Sequence, residues 1–135
     1  MRTYYLFLIQ EEYYQIYKKN LFVLYKILQN LSLLKAYDFA YGISIYRQLC
    51  YPFAVKLLNH YIRGKYPYKK INRRIIQLDS RIENTFVELN PSTIIVKSDC
   101  NYPEIFRTFH IYNKHIFVCD FDHEDYFWLS DQFTK

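Results

Sequence analysis

Glycine is nearly absent, with Gly42 and Gly64 the only two in 135 residues. A phosphate-cradling loop needs clustered glycines so that backbone N–H groups can approach the ligand, so neither a P-loop nor a dinucleotide fingerprint fits this chain. Proline is scarce too, at 4; collagen-like, elastic and linker-type sequences are excluded. Long apolar runs are missing. The longest, Tyr4 to Ile9, holds six residues, far short of the roughly 20 that span a bilayer. One basic residue, Arg2, precedes that run and no small-residue cleavage site follows it. We therefore expect neither a signal peptide nor a membrane helix. Cys50, Cys100 and Cys119 are odd in number and widely spaced, which argues against a disulfide framework and for a reducing cytoplasm.

What is present suffices for a folded domain. Apolar residues are 51% and charged residues 23%, enough to bury a sizeable core in one domain spanning 1–135. Aromatics reach 21%. Tyr, Phe, Ile, Lys and Asn together make 61 of the 135 residues. An AT-rich genome produces the same bias, so aromatic richness alone is no sign of base stacking. The net charge of +5 is unevenly spread. Residues 39–78 carry eight basic residues and no acid, whereas 79–135 carry ten acids against five bases. A basic middle can attract nucleic acid or an acidic protein, or simply be a solvated face.

Residues 3–9 read as a strand of aromatic and aliphatic side chains. Glu11 and Glu12 suit the first turn of a helix over 11–31. Tyr13, Tyr17, Leu24, Leu28 and Leu31 fall on one stripe of it, with Lys18, Lys19, Lys26 and Gln29 opposite. Phe22 breaks the pattern: either the helix is interrupted near Asn20 or Phe22 is an exposed apolar anchor. A second helix is expected over 36–50. A third opens at Pro52, buries Ala54, Leu57, Leu58 and Tyr61, and stops at Gly64. Residues 65–74 read as a basic loop leading into a strand over 71–79. A hairpin over 85–89 and 93–98 turns at Asn90-Pro91-Ser92. Asn101 and Glu104 form a capping box for a helix over 102–112. Strands over 115–121 and 126–129 flank a charged turn. This order gives an α+β fold, a two-layer α/β sandwich. Its sheet is mixed or mostly antiparallel, with about five strands and helices mainly on one face.

Reactive constellations are few. His115, Cys119 and His123 are spaced by four and would share a strand face, but they match no zinc signature. The plainer reading is a small core cysteine with histidines near the strand ends. Asp120, Asp122, Glu124 and Asp125 lack the glycine and distal glutamate of a calcium loop and read as a solvated turn. Nothing assembles an active site, so we expect no catalytic, cofactor-binding or metal-binding residues.

The two ends of the chain carry a resemblance. Arg2-Thr3-Tyr4-Tyr5-Leu6-Phe7-Leu8-Ile9-Gln10-Glu11-Glu12-Tyr13 resembles the opening of the sporulation inhibitor of replication (SirA) family, whose first strand leads into its first helix. Cys119-Asp120-Phe121 with Tyr126-Phe127-Trp128-Leu129 is similar to the family's closing segment. Phe127 stands where a glycine is usual, and Ser130-Asp131 replaces an Asn-Pro. The resemblance covers essentially the whole length and implies a small cytoplasmic protein without catalysis or cofactor. It implies a monomer that binds the N-terminal domain of the replication initiator DnaA and sterically blocks assembly at the origin. The family's partner surface lies on the first helix and the helix after it. Carried over by position, that surface comprises Tyr13, Tyr17, Tyr46, Arg47 and Gln48. The helical stripe instead turns Tyr13 and Tyr17 towards the core, and the two readings stand side by side.

The alternative is a nucleic-acid-binding module built on the basic segment 63–74, with Lys65, Lys69, Lys70, Arg73 and Arg74 interleaved with Tyr66 and Tyr68. With DnaA as the expected partner, we expect no direct nucleic-acid binding and, from the short apolar runs, no membrane association.

Overall fold

β1 (Arg2–Ile9) is an apolar strand that serves two cores. Its side chains alternate across the pleat. Tyr4, Leu6 and Leu8 enter one buried cluster, and Phe7 and Ile9 enter another. The computed structural model describes residues 1–33, 39–78 and 80–133, with the backbone alone at 39–41.

Eight strands form one antiparallel sheet among the described residues. They are β1, β2 (Cys50–Tyr51), β3 (Tyr68–Lys70), β4 (Ile75–Leu78), β5 (Thr85–Leu89), β6 (Ile94–Ser98), β7 (Ile116–Asp120) and β8 (Asp125–Trp128). Their order is β3-β4-β5-β6-β1-β7-β8, with β2 pairing the end of β1. All five residues of β7 are buried, and it pairs with β1 from Tyr5↔Cys119 to Leu8↔Ile116. β5 and β6 alternate buried with half-exposed positions, so that half of the sheet has one covered face.

Five helices cover the sheet: α1 (Glu11–Tyr17), α2 (Leu21–Ser32), α3 (Phe39–Leu49), α4 (Val55–Lys65) and α5 (Ile105–Tyr112). Leu58 and Ile62 of α4 and Ile105, Phe106 and Phe109 of α5 pack on the face of Tyr4, Leu6, Val96 and Val118. Leu24, Tyr25 and Leu28 of α2 and Leu49 of α3 pack on the opposite face, with Phe7, Ile9, Phe117 and Trp128. The α+β class and the antiparallel sheet stand. Two features of the expected sandwich are corrected: helices lie on both faces, and there are eight strands rather than about five. Helical periodicity shows that a helix buries a stripe but not which sheet face it meets. The extra strands, β2 and β3, have two and three residues, too short for an alternation to show.

Helix boundaries moved for local reasons. The expected helix over 11–31 is two helices, because Asn20 is non-helical (φ −126°, ψ 56°). Phe22 is also 57% exposed, so both outcomes posed for it hold. The part of the second expected helix at 36–38 lies outside the described residues; the rest is α3. In α4 the buried residues are Leu58 and Ile62, whereas Leu57 and Tyr61 are 60% and 45% exposed. Ala54 is exposed as well. Gly64 sits inside the last turn, and the chain leaves in extended form at Tyr66, as the following Pro67 requires. The Asn101 capping box does not form. Tyr102 has φ 54°, and the helix starts after Glu104 without a side-chain cap bond.

A candidate docking face built around Gln10

Gln10 joins the end of β1 to the start of α1, where a capping side chain would usually bond within its own helix. It bonds instead to the end of α3. Its backbone N–H donates to the Leu49 carbonyl at 2.9 Å. Its Nε2 donates to the carbonyls of Arg47 at 2.9 Å and Cys50 at 3.3 Å. Carbonyls at a helix C-terminus lack intrahelical donors, so one glutamine supplies what α3 is missing and fixes the two helices together.

A groove of about 540 Å³ opens at this junction. Ile43, Tyr46 and Arg47 of α3, Tyr51 and Pro52 after it, and Pro91 from the β5–β6 turn line it with Gln10. Tyr51 is 50% exposed. Arg47 and Gln48 are exposed, and Tyr46 is half-buried. The Tyr46 ring lies beside Cys50, and burial raises its hydroxyl pKa. Burial likewise pushes the Cys50 thiol up to about 12. The groove is therefore apolar at its base, with Arg47 the one charged side chain among its described lining residues.

Tyr13 and Tyr17 are half-buried and pack against the core beneath α1 and α2. The inward anchor of α1 is Tyr14, which stacks on His115 at 4.1 Å and meets Trp128 edge-on at 4.8 Å. The more open apolar side chains of these two helices are Ile16 at 57%, Phe22 at 57% and Val23 at 47% exposed. Gln10 thus connects the α3 positions named from sequence to the helix carrying the α1 positions. Sequence reading missed Gln10, Tyr51 and Pro91 as groove residues, and Ile16 and Val23 as open apolar positions. A pattern of periodic burial marks what a helix hides; it does not mark which loops converge on its end.

The reactive cluster considered from sequence separates into structural roles. Cys119 is fully buried and its thiol is raised by burial. His115 pairs with Glu11 at 3.0 Å. His123 Nδ1 meets Asp120 Oδ2 at 2.8 Å. Asp120 is buried and also accepts from Arg2 Nε at 2.8 Å, while Arg2 reaches Asp125 at 2.9 Å. Among the described residues no group of three or more His, Cys, Asp or Glu side chains could hold a metal ion. No described helix is long and apolar enough to cross a membrane. In comparisons with known proteins, no family model and no curated protein matches the chain.

Proposed function

We propose that this protein works by binding another protein, and that the partner is the N-terminal domain of DnaA, whose assembly at the origin it blocks sterically. The observation that carries the docking reading is the groove at the α1–α3 junction. It is preformed by Gln10 and carries Tyr46, Arg47 and the half-exposed Tyr51. Tyrosine and arginine dominate binding energy at protein interfaces because they bring large area and a polar tip at low entropy cost. The choice of DnaA rests on the resemblance of residues 2–13 and 119–129 to the SirA family. In this reading the protein is a cytoplasmic monomer that forms a heterocomplex, transforms no substrate and needs no cofactor.

A stable complex buries about 1,600 Å² in total, more than the groove alone provides. The open side chains of α1 and α2, Ile16, Phe22 and Val23, would extend the contact. Titration calorimetry with the isolated N-terminal domain of DnaA from the same source tests the reading. A saturable complex weakened by Arg47→Glu and Tyr51→Ala is expected. No heat and no complex at tens of micromolar would remove DnaA as the partner. Saturable binding that ignores both substitutions would move the interface away from the groove.

A further inference from the structure

The basic segment 63–74, which the docking reading leaves unused, is brought together by the fold rather than merely clustered in sequence. The last turn of α4 runs into β3, the edge strand of the sheet, and β3 returns through the turn at 71–74 into β4. All three residues of β3 are exposed. Lys65, Lys69, Lys70, Arg73 and Arg74 are exposed and Arg63 is half-buried. Among the described residues none of the six is ion-paired.

The turn is held in place. Asn72 Oδ1 accepts from the backbone N–H of Arg74 at 2.9 Å and of Ile75 at 3.1 Å. Ile71 N–H donates to the Ile75 carbonyl at 3.1 Å. Two tyrosine rings stand open beside the cations: Tyr61 at 45% and Tyr68 at 42% exposed. The Arg63 guanidinium lies 5.3 Å from the Tyr68 ring centre and Lys65 Nζ 5.9 Å from that of Tyr61. Tyr66, the other aromatic of the segment, bonds through its hydroxyl to Thr108 and serves the fold. Lysines on an edge strand also deter sheet-to-sheet aggregation. That role accounts for Lys69 and Lys70, but not for arginines in an ordered turn or cations set against exposed rings.

The geometry points to the α4–β3 edge as a binding site for single-stranded nucleic acid. Phosphates would meet Lys70, Arg73 and Arg74, with Lys69 reached around the strand edge because neighbouring strand residues face opposite sides, and unpaired bases would stack at Tyr61 and Tyr68. A duplex offers phosphates but no free base faces, and an acidic polypeptide offers charge without flat rings. The combination of cations and open aromatics matches sequence-tolerant single-strand binding.

Fluorescence anisotropy with a labelled oligo-dT, a labelled duplex and poly-glutamate tests this. Four phosphate contacts to a single strand give roughly a 50-fold loss of affinity between 50 and 200 mM salt. The quadruple variant Lys69→Glu/Lys70→Glu/Arg73→Glu/Arg74→Glu should abolish binding. Lys69→Gln/Lys70→Gln keeps the edge's shape and should show a smaller loss if reversed charges disturb folding. Tyr61→Ala/Tyr68→Ala should weaken oligo-dT by about fivefold or more and leave poly-glutamate unchanged. No oligo-dT binding at tens of micromolar in low salt overturns the proposal. So does duplex or poly-glutamate binding as tight as oligo-dT, or oligo-dT binding that ignores the tyrosines.

Discussion

Asp120 brings a carboxylate to the end of β7 with a fully buried side chain. It is tolerated there because Arg2 and His123 both meet it at 2.8 Å. Removing one partner of a buried pair strands the other charge, which costs about 3 kcal/mol. Because His123 still meets Asp120, we expect Arg2→Ala to lower the unfolding free energy by less than that, about 2 kcal/mol, in urea titration. The thiols give a second residue-scale test. Burial raises Cys50 to about 12 and raises Cys119 as well, while Cys100 is half-exposed. A thiol-specific reagent should modify Cys100 alone in the native protein and all three cysteines after denaturation. His115 supplies a pH dependence. Burial outweighs the neighbouring Glu11 carboxylate and holds its imidazole below the ordinary 6.5. The unfolded chain binds that proton more readily, so the contribution is complete above about pH 6.5 and is lost as pH falls. The urea midpoint should drop on acidification from neutral to mildly acidic pH, and His115→Gln should flatten that part of the profile. The histidine spacing was plain in the sequence, but the partners were not. Glu11 lies over a hundred residues away, and only the antiparallel pairing of β1 with β7 brings it near.

At the scale of elements, strands were the more legible. β1, β5, β6, β7 and β8 sit within a residue or two of their expected places, because period-two patterns and continuous apolar runs survive in any context. Helix α4 shows why helical phase is harder. Leu57, Leu58, Tyr61 and Ile62 offer two overlapping apolar stripes, and local spacing cannot choose between them. Burial in one cluster with Leu6, Val87 and Phe106 chooses Leu58 and Ile62. Ile62→Ala should therefore cost about 2–4 kcal/mol by loss of packing, while Leu57→Ala should change stability by less than about 0.5 kcal/mol. Equal costs, measured by denaturant unfolding, would mean that α4 is turned the other way. The break between α1 and α2 carries no glycine or proline to announce it. It shows in the sequence only through Phe22, whose position clashes with an uninterrupted stripe.

At the scale of the whole molecule, the sheet's two covered faces leave three kinds of surface among the described residues. One is the groove beside Gln10, one the open apolar side chains of α1 and α2, and one the basic edge at β3. The first two bear on the proposed partner. Tyr46, Arg47 and Gln48 could be named from sequence because the resemblance pointed to them. That Tyr46 and Arg47, though not Gln48, share a groove with Tyr51 and Pro91 depends on a turn about forty residues further along the chain. Gln10→Leu removes the Nε2 bonds to the Arg47 carbonyl of α3 and the Cys50 carbonyl of β2 and so loosens the groove's frame. It should weaken partner binding although the proposed anchors Tyr46, Arg47 and Tyr51 are unchanged. Calorimetric titration of the full chain into the DnaA N-terminal domain decides whether this protein works by docking onto that domain. A one-to-one complex that Arg47→Glu weakens at least tenfold, with the fold intact, is expected. A well-folded protein that releases no heat and forms no complex at tens of micromolar would contradict it.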